Sequence, residues 1–163
     1  MQRRDFLRLT LAGAAGLTLG GCGFRLRGLN RPALGLEALA VAGADDAFSR
    51  LAIRRLETAG VAVRDDAPLV LNLGAERVEE RRLSVLDAGS QERELTLRLP
   101  FSVQRRADGA YRLPRQTLTV SERFTFSGDD LLAGDERREA ARQALRREAV
   151  RRLMDRLRAL EPS

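Results

Sequence analysis

Few kinds of side chain in this sequence are able to do chemistry. All 29 basic residues are arginine, 23 residues are acidic, one is cysteine, and histidine is absent. The usual general base, the Schiff-base amine and the commonest metal ligand are therefore missing. An enzyme would have to work with carboxylates, hydroxyls and arginine alone. We therefore expect a protein without catalytic activity and without a cofactor.

Three pairs of neighbouring acids are the candidates for a metal site, and they are Asp45/Asp46, Asp65/Asp66 and Asp129/Asp130. Carboxylate oxygens suit hard cations such as Ca²⁺ and Mg²⁺, but without histidine the ligand set would need distant oxygens. Two of the pairs fall where helix starts or turns are expected. We predict no metal site, and an anchored hydrolase stays open as an alternative that the metal content of the purified protein tests.

The single cysteine ends an N-terminal targeting segment. Three arginines lie within residues 1–8, and residues 9–19 form an apolar run of signal-peptide length that is too short to span a membrane well. The sequence Leu-Gly-Gly-Cys that ends at Cys22 resembles the lipobox of bacterial lipoproteins. The resemblance implies cleavage before Cys22, diacylglycerol on its sulfur and acylation of the new amine. Several acyl chains are sufficient for stable membrane attachment.

Two further features bear on export and sorting. The stretch RRDFL at residues 3–7 resembles a twin-arginine export motif, and general secretion is an equally open route. Gly23 stands where an aspartate retains many Gram-negative lipoproteins at the inner membrane, so the resemblance points to the outer membrane. We therefore predict a signal peptide over residues 1–21, a lipidated tether over 22–34 and one domain over 35–161.

The hydrophobic periodicity predicts a mixed α+β domain. Strands are expected over 36–43, 68–86, 94–104 and 116–126, and helices over 44–60 and from Asp135 to the stop at Pro162. Each element has one apolar side, which favours a two-layer sandwich with both helices on one face of a four-stranded mixed sheet. The predicted order is β-α-β-β-β-α, and its first strand–helix–strand unit favours one parallel pair.

The clearest strand alternates an apolar and a polar side chain from Glu94 to Gln104. One of its faces is apolar, and an antiparallel sheet tolerates a polar second face without a covering layer. Pro100 cannot donate to a ladder, so we expect this strand at an edge or with a bulge. Asp108-Gly109 predicts the hairpin turn that follows.

The last helix carries much of the positive charge. Residues 135–158 contain nine arginines and five acids, and a leucine and alanine stripe at helical spacing predicts its buried side. For an exported protein this charge is suited to acidic lipid, to lipopolysaccharide phosphate or to a partner protein. We expect no nucleic acid among its partners.

The start of the predicted mature chain, Cys22 followed by GFRLRG, resembles the LptE family of lipopolysaccharide-assembly lipoproteins. Members of that family open with Cys-Gly, an aromatic residue, a basic or polar residue, Leu and Arg. Cys22, Gly23, Phe24, Leu26 and Arg27 match this pattern. The predicted element order and a closing basic helix are also similar to the family.

The resemblance implies a lipoprotein of the outer membrane that plugs the LptD barrel, supports its assembly and helps lipopolysaccharide reach the surface, with lipopolysaccharide as a ligand. The candidate contacts are Arg81 and Arg82 before the expected 86–91 turn and Arg93 and Arg98 after it. For each of the four, an ordinary solvated side chain is the favoured alternative. A lipoprotein that scaffolds or activates another cell-envelope complex is the alternative function.

Overall fold

The computed structural model describes residues 34–85, 90–127 and 131–160. They form six strands and two helices. The strands are β1 (Ala38–Gly43), β2 (Ala62–Val63), β3 (Leu69–Leu73), β4 (Arg77–Val85), β5 (Ser90–Arg105) and β6 (Tyr111–Ser127). The helices are α1 (Ala47–Thr58) and α2 (Leu131–Arg158). The mixed α+β class is confirmed.

The six strands form one mixed sheet with β5 as its central strand. One edge of β5 pairs with β6, and its other edge pairs with β4 along the first half and with β3 along the second half. These pairs are all antiparallel. β1 then pairs in parallel with both β3 and β2. The predicted parallel pair within an otherwise antiparallel sheet is therefore present.

The predicted count of four strands is wrong for two reasons. β2 has two residues, which is too short to leave a periodic pattern. The stretch 68–86, expected as one strand, is divided into β3 and β4, which follow each other along the same edge of β5.

Pro100 explains the division between β3 and β4. Its carbonyl oxygen accepts a hydrogen bond of 2.8 Å from the Gly74 amide. Its nitrogen carries no hydrogen, so it cannot donate the second hydrogen bond of the ladder. The Pro100 ring also occupies the space above Gly74, where a Cβ would lie 2.4 Å from the Pro100 Cγ. The ladder is therefore interrupted beside Pro100 although β5 is paired on both edges, so the expected edge position is wrong. The alternative, a bulge, occurs nearby between Phe101 and Val103, where the extra residue belongs to the partner strand β6.

The hydrophobic core lies between the helices and one face of the sheet. The apolar alternation of β5 is fully buried from Leu95 to Val103, as predicted. The same buried cluster includes Phe48 and Leu56 of α1 and Leu153 of α2. We call this side of the sheet the helix-side face and the opposite side the outward face.

Helix α1 begins and ends where its sequence dictates. The Asp46 side chain caps the first turn by accepting a 2.9 Å hydrogen bond from the Ser49 amide, and Gly60 follows the last turn with φ 85°. Asp46 also accepts from the Glu76 amide at 3.0 Å, and the Glu76 carboxylate binds Arg146 of α2 at 2.9 Å. This network joins both helices to the connection between β3 and β4.

Helix α2 is longer than its pattern predicts. It begins at Leu131, so Asp135 lies inside the helix and forms an ion pair of 2.5 Å with Arg138 instead of capping the start. The predicted buried stripe, which includes Leu145, Leu153 and Leu157, is confirmed. Within the described ranges, no helix combines the length and apolarity needed to cross a membrane.

Candidate interaction surface

The outward face of β4, β5 and β6 is polar along its length. Cross-strand rows on this face are Arg77–Arg98–Thr119, Glu79–Thr96–Ser121 and Arg81–Glu94–Arg123. The hydroxyls of Thr96 and Ser121 are 2.9 Å apart, and Arg81 lies 3.5 Å from Glu94. Neither helix covers this surface, since the buried faces of both pack on the other side. It is therefore available for a partner.

Arg77 and Arg98 are the most informative pair on the outward face. They stand directly opposite each other on β4 and β5, and both are exposed. Within the described ranges neither has an acidic partner. Directly opposed like charges, with Cβ atoms about 5 Å apart, weaken a strand pair. An anionic group from outside the chain would relieve this repulsion.

The structure separates the four arginines that were predicted as contacts. Arg81 and Arg98 lie on the outward face, whereas Arg82 and Arg93 oppose each other on the helix-side face. Arg93 is ion-paired with Glu80 at 2.6 Å and its side chain is only 19% exposed. The four side chains therefore do not form one surface. Arg77 is not among the four predicted contacts, and it lies beside Arg98 because of a register that the sequence alone does not reveal.

Glu80 is the centre of a charged cluster on the helix-side face. Its carboxylate accepts from Arg93 of β5 at 2.6 Å and from Arg138 of α2 at 3.0 Å. Burial alone would raise the pKa of Glu80, but the hydrogen bonds and charges of the two arginines outweigh it and hold the pKa below its ordinary value of 4.5. The cluster fastens the start of α2 to the sheet, which is a structural role.

This cluster predicts a pH-dependent contribution to stability. Because the pKa is lowered in the folded state, the contribution is complete above 4.5 and is lost as pH falls through the folded value. Glu80→Gln should therefore cost about 1 kcal/mol at pH 7, a small value because the cluster is partly exposed. Urea unfolding should show this difference shrinking below pH 4.5.

The matched control is Glu79→Gln, which removes an exposed carboxylate on the outward face of the same strand. It should leave the stability at pH 7 nearly unchanged. A difference between wild type and Glu80→Gln that stays constant down to pH 3 would contradict the assigned role of Glu80.

Three of the four paired acids that the structure describes have structural partners. Asp46 caps α1, Asp45 binds Arg50 at 2.8 Å and Asp66 lies 3.2 Å from Arg64. No group of three or more histidine, cysteine or acidic side chains positioned for a metal occurs in the described ranges. The Asp129/Asp130 pair and Cys22 lie outside those ranges.

Several solved lipoprotein structures share this fold. Rare lipoprotein B from Shewanella oneidensis matches with a TM-score of 0.66 and 22% identity, covering 76% of this chain and 96% of that one. Lipoprotein B from Nitrosomonas europaea matches with a TM-score of 0.65 and 20% identity, covering 81% and 88%. A minor lipoprotein from Acinetobacter baumannii has a TM-score of 0.60 and 16% identity, covering 76% and 91%.

The sequence comparisons give the family. No curated protein sequence is significantly similar to this chain. The sequence profile of the LptE lipopolysaccharide-assembly family matches residues 35–157, which include every strand and all but the last residue of α2. The chain therefore belongs to the LptE family of lipopolysaccharide-assembly proteins.

Proposed function

We propose that this protein is an outer-membrane lipoprotein that plugs an LptD-type barrel, supports its assembly and helps lipopolysaccharide reach the outer leaflet. Family membership supports the general role in lipopolysaccharide assembly. The observation that carries the barrel partnership is the uncovered polar face with its opposed Arg77 and Arg98. A barrel lumen is polar, so a plug needs a polar surface of this kind.

The outward face meets the lumen in this proposal, while the helices hold the fold. Arg77 and Arg98 then gain an anionic partner, which the described part of the chain does not give them. This partner is a carboxylate from the barrel wall or a phosphate of lipopolysaccharide. Arginine is suited to both, because its planar fork binds carboxylate and phosphate oxygens in pairs. Arg81 and Arg123 lie farther along the same face, where each already has an acidic neighbour, Glu94 at 3.5 Å and Glu92 at 3.9 Å.

The double variant Arg77→Glu/Arg98→Glu tests the proposal. Wild-type protein purified from native outer membranes should carry one large barrel protein, and the double variant should carry at least fivefold less. Both side chains are exposed, so the melting temperature should stay close to that of wild type. Arg147→Glu, an exposed change on α2, is the control and should retain the barrel.

Depletion supplies a second readout. Cells depleted of this protein should contain misassembled barrel and should show less lipopolysaccharide at the surface. If the wild-type protein instead brings down a periplasmic or inner-membrane complex without a barrel, the scaffold alternative replaces this proposal.

We further propose that Cys22 carries the membrane anchor, as the lipobox resemblance implies. Cys22→Ala should remain as an unprocessed or soluble precursor, and Cys22→Ser should fail equally because acylation needs the thiol. Mass spectrometry of the mature wild-type protein should find the cysteine acylated at both its sulfur and its amine. An unmodified Cys22 in the mature protein would overturn the anchor.

A further inference from the structure

A second feature of the outward face lies at the other end of β5. A cavity of about 300 Å³ opens between β3, β5 and β6, and the proposed barrel contact does not account for its lining. The polar side chains that line it are neutral amides and hydroxyls together with one arginine. They are Asn72, Ser102, Gln104, Tyr111 and Arg115.

The amide groups of this cavity are held in fixed orientations. The Asn72 Nδ2 donates to the Gln104 Oε1 at 2.9 Å, and the Gln104 Nε2 donates to the Gly109 carbonyl at 3.2 Å. This leaves the Asn72 carbonyl oxygen as an acceptor for a ligand. The Ser102 hydroxyl, 3.5 Å from the Asn72 amide, is both donor and acceptor. A ligand rich in hydroxyl groups matches this set.

The ring of Tyr111 supplies an apolar surface beside these polar groups. It lies directly opposite Gln104 on the neighbouring strand and is 58% exposed, the one large hydrophobic side chain exposed in the described part of the chain. A tyrosine ring offers an electron-rich apolar face and a polar hydroxyl tip. The C–H face of a pyranose sugar packs on such a ring while its hydroxyls reach hydrogen-bonding groups at the edge.

The backbone is shaped to keep this cavity open. Between Phe101 and Val103 of β5, the partner strand advances from Gln116 to Leu113, so β6 carries an extra residue. Such bulges redirect side chains, and this one includes Arg115. At the opposite side Gly74 leaves room for the Pro100 ring, which a Cβ would displace.

From these groups we propose that the cavity binds an acidic oligosaccharide, with a pyranose ring on Tyr111, its hydroxyls on Asn72 and Ser102, and its carboxylate or phosphate on Arg115. Arg115 is exposed and has no acidic partner in the described ranges. The site rests on its own geometry. The expected source of the sugar, the oligosaccharide of lipopolysaccharide, rests on the proposed function.

Calorimetric titration of the full lipidated protein in detergent micelles tests the site. The probe is deacylated lipopolysaccharide oligosaccharide, which has no acyl chains to enter an apolar surface. Wild-type protein should bind it saturably, and Tyr111→Ala and Arg115→Ala should each weaken binding at least tenfold. Arg112→Ala removes a neighbouring exposed arginine that does not line the cavity, so its affinity should equal that of wild type.

Two further arms define the ligand class. Neutral maltooligosaccharide should bind at least tenfold more weakly than the acidic oligosaccharide, and inorganic phosphate should fail to displace that oligosaccharide at equal concentration. Three results would each overturn the proposal. They are no saturable binding by wild type, wild-type affinity in both Tyr111→Ala and Arg115→Ala, and full displacement of the oligosaccharide by phosphate.

Barrel recovery separates this proposal from the proposed function. Tyr111→Ala and Arg115→Ala should still carry the barrel through purification. If they lose the barrel but bind the oligosaccharide normally, this surface is a barrel contact and the sugar site is wrong. If the wild-type protein carries no barrel yet binds the oligosaccharide, the proposed function fails and the sugar site stands.

Discussion

Replacing Leu153 by aspartate is expected to unfold the domain. Leu153 of α2 has no solvent exposure and belongs to the single large cluster that joins both helices to the sheet. The variant loses the burial of a leucine and places a carboxylate in an apolar cluster. Together these effects should cost at least about 4 kcal/mol, comparable to the whole stability of a small domain.

Arg147→Asp is the matched control for this variant. It introduces the same side chain into the same helix at an exposed position, where substitutions usually change stability by about 0.5 kcal/mol or less. Circular dichroism and urea unfolding should show a folded control and an unfolded Leu153→Asp. A Leu153→Asp variant that melts like wild type would mean that the buried side of α2 is assigned incorrectly.

Gly43→Ala is expected to have the second largest effect. Gly43 ends β1 with φ 119°, a conformation that side-chain-bearing residues rarely adopt, and a Cβ there would lie 1.9 Å from the Leu73 carbonyl oxygen. That oxygen belongs to the backbone of the parallel partner strand and has little freedom to move. Strain and displacement together should exceed about 3 kcal/mol.

Gly109→Ala separates the two causes of that loss. Gly109 in the hairpin turn has φ 69°, but a Cβ there would meet nothing within 4 Å. It should therefore cost about 1 kcal/mol, since only the backbone conformation is unfavourable. Equal melting temperatures for the two variants would show that β1 and β3 are not packed as closely as described.

The sequence predicts best where one side of an element is fully buried. The alternation from Leu95 to Val103 and the helical stripe through Leu153 assign both sides of β5 and α2 correctly. Local turn chemistry is equally direct at Gly60 and at Asp108, whose carboxylate accepts from the Ala110 amide at 3.0 Å. In these cases the signal is contained within a few neighbouring residues.

What the sequence does not reveal depends on register between distant strands. Arg93 shares the alternation of Leu95, and Arg82 that of Val78, so both lie on the helix-side face. Their direct opposition depends on the register between β4 and β5, which no local pattern encodes. The meeting of Arg77 with Arg98 has the same origin. The cavity at Tyr111 depends on a bulge in β6, and the break between β3 and β4 depends on Pro100 of another strand. The effect of a proline in a strand therefore depends on the strands that pair with it.

The position of Arg93 also changes how the surface should be tested. Charge reversal there would break an ion pair with Glu80 in a side chain that is only 19% exposed, so lost stability would accompany any lost binding. Arg77 and Arg98 avoid this ambiguity because both are exposed.

Site-specific photo-crosslinking in living cells tests the central proposal most directly. A photoreactive amino acid should be placed at Arg98 on the outward face and, as the control, at Arg147 on the exposed side of α2. We predict that Arg98 yields one adduct with a large outer-membrane barrel protein and that Arg147 does not. No barrel adduct from Arg98, or an equal one from Arg147, would contradict a plug that meets the barrel through its polar sheet face.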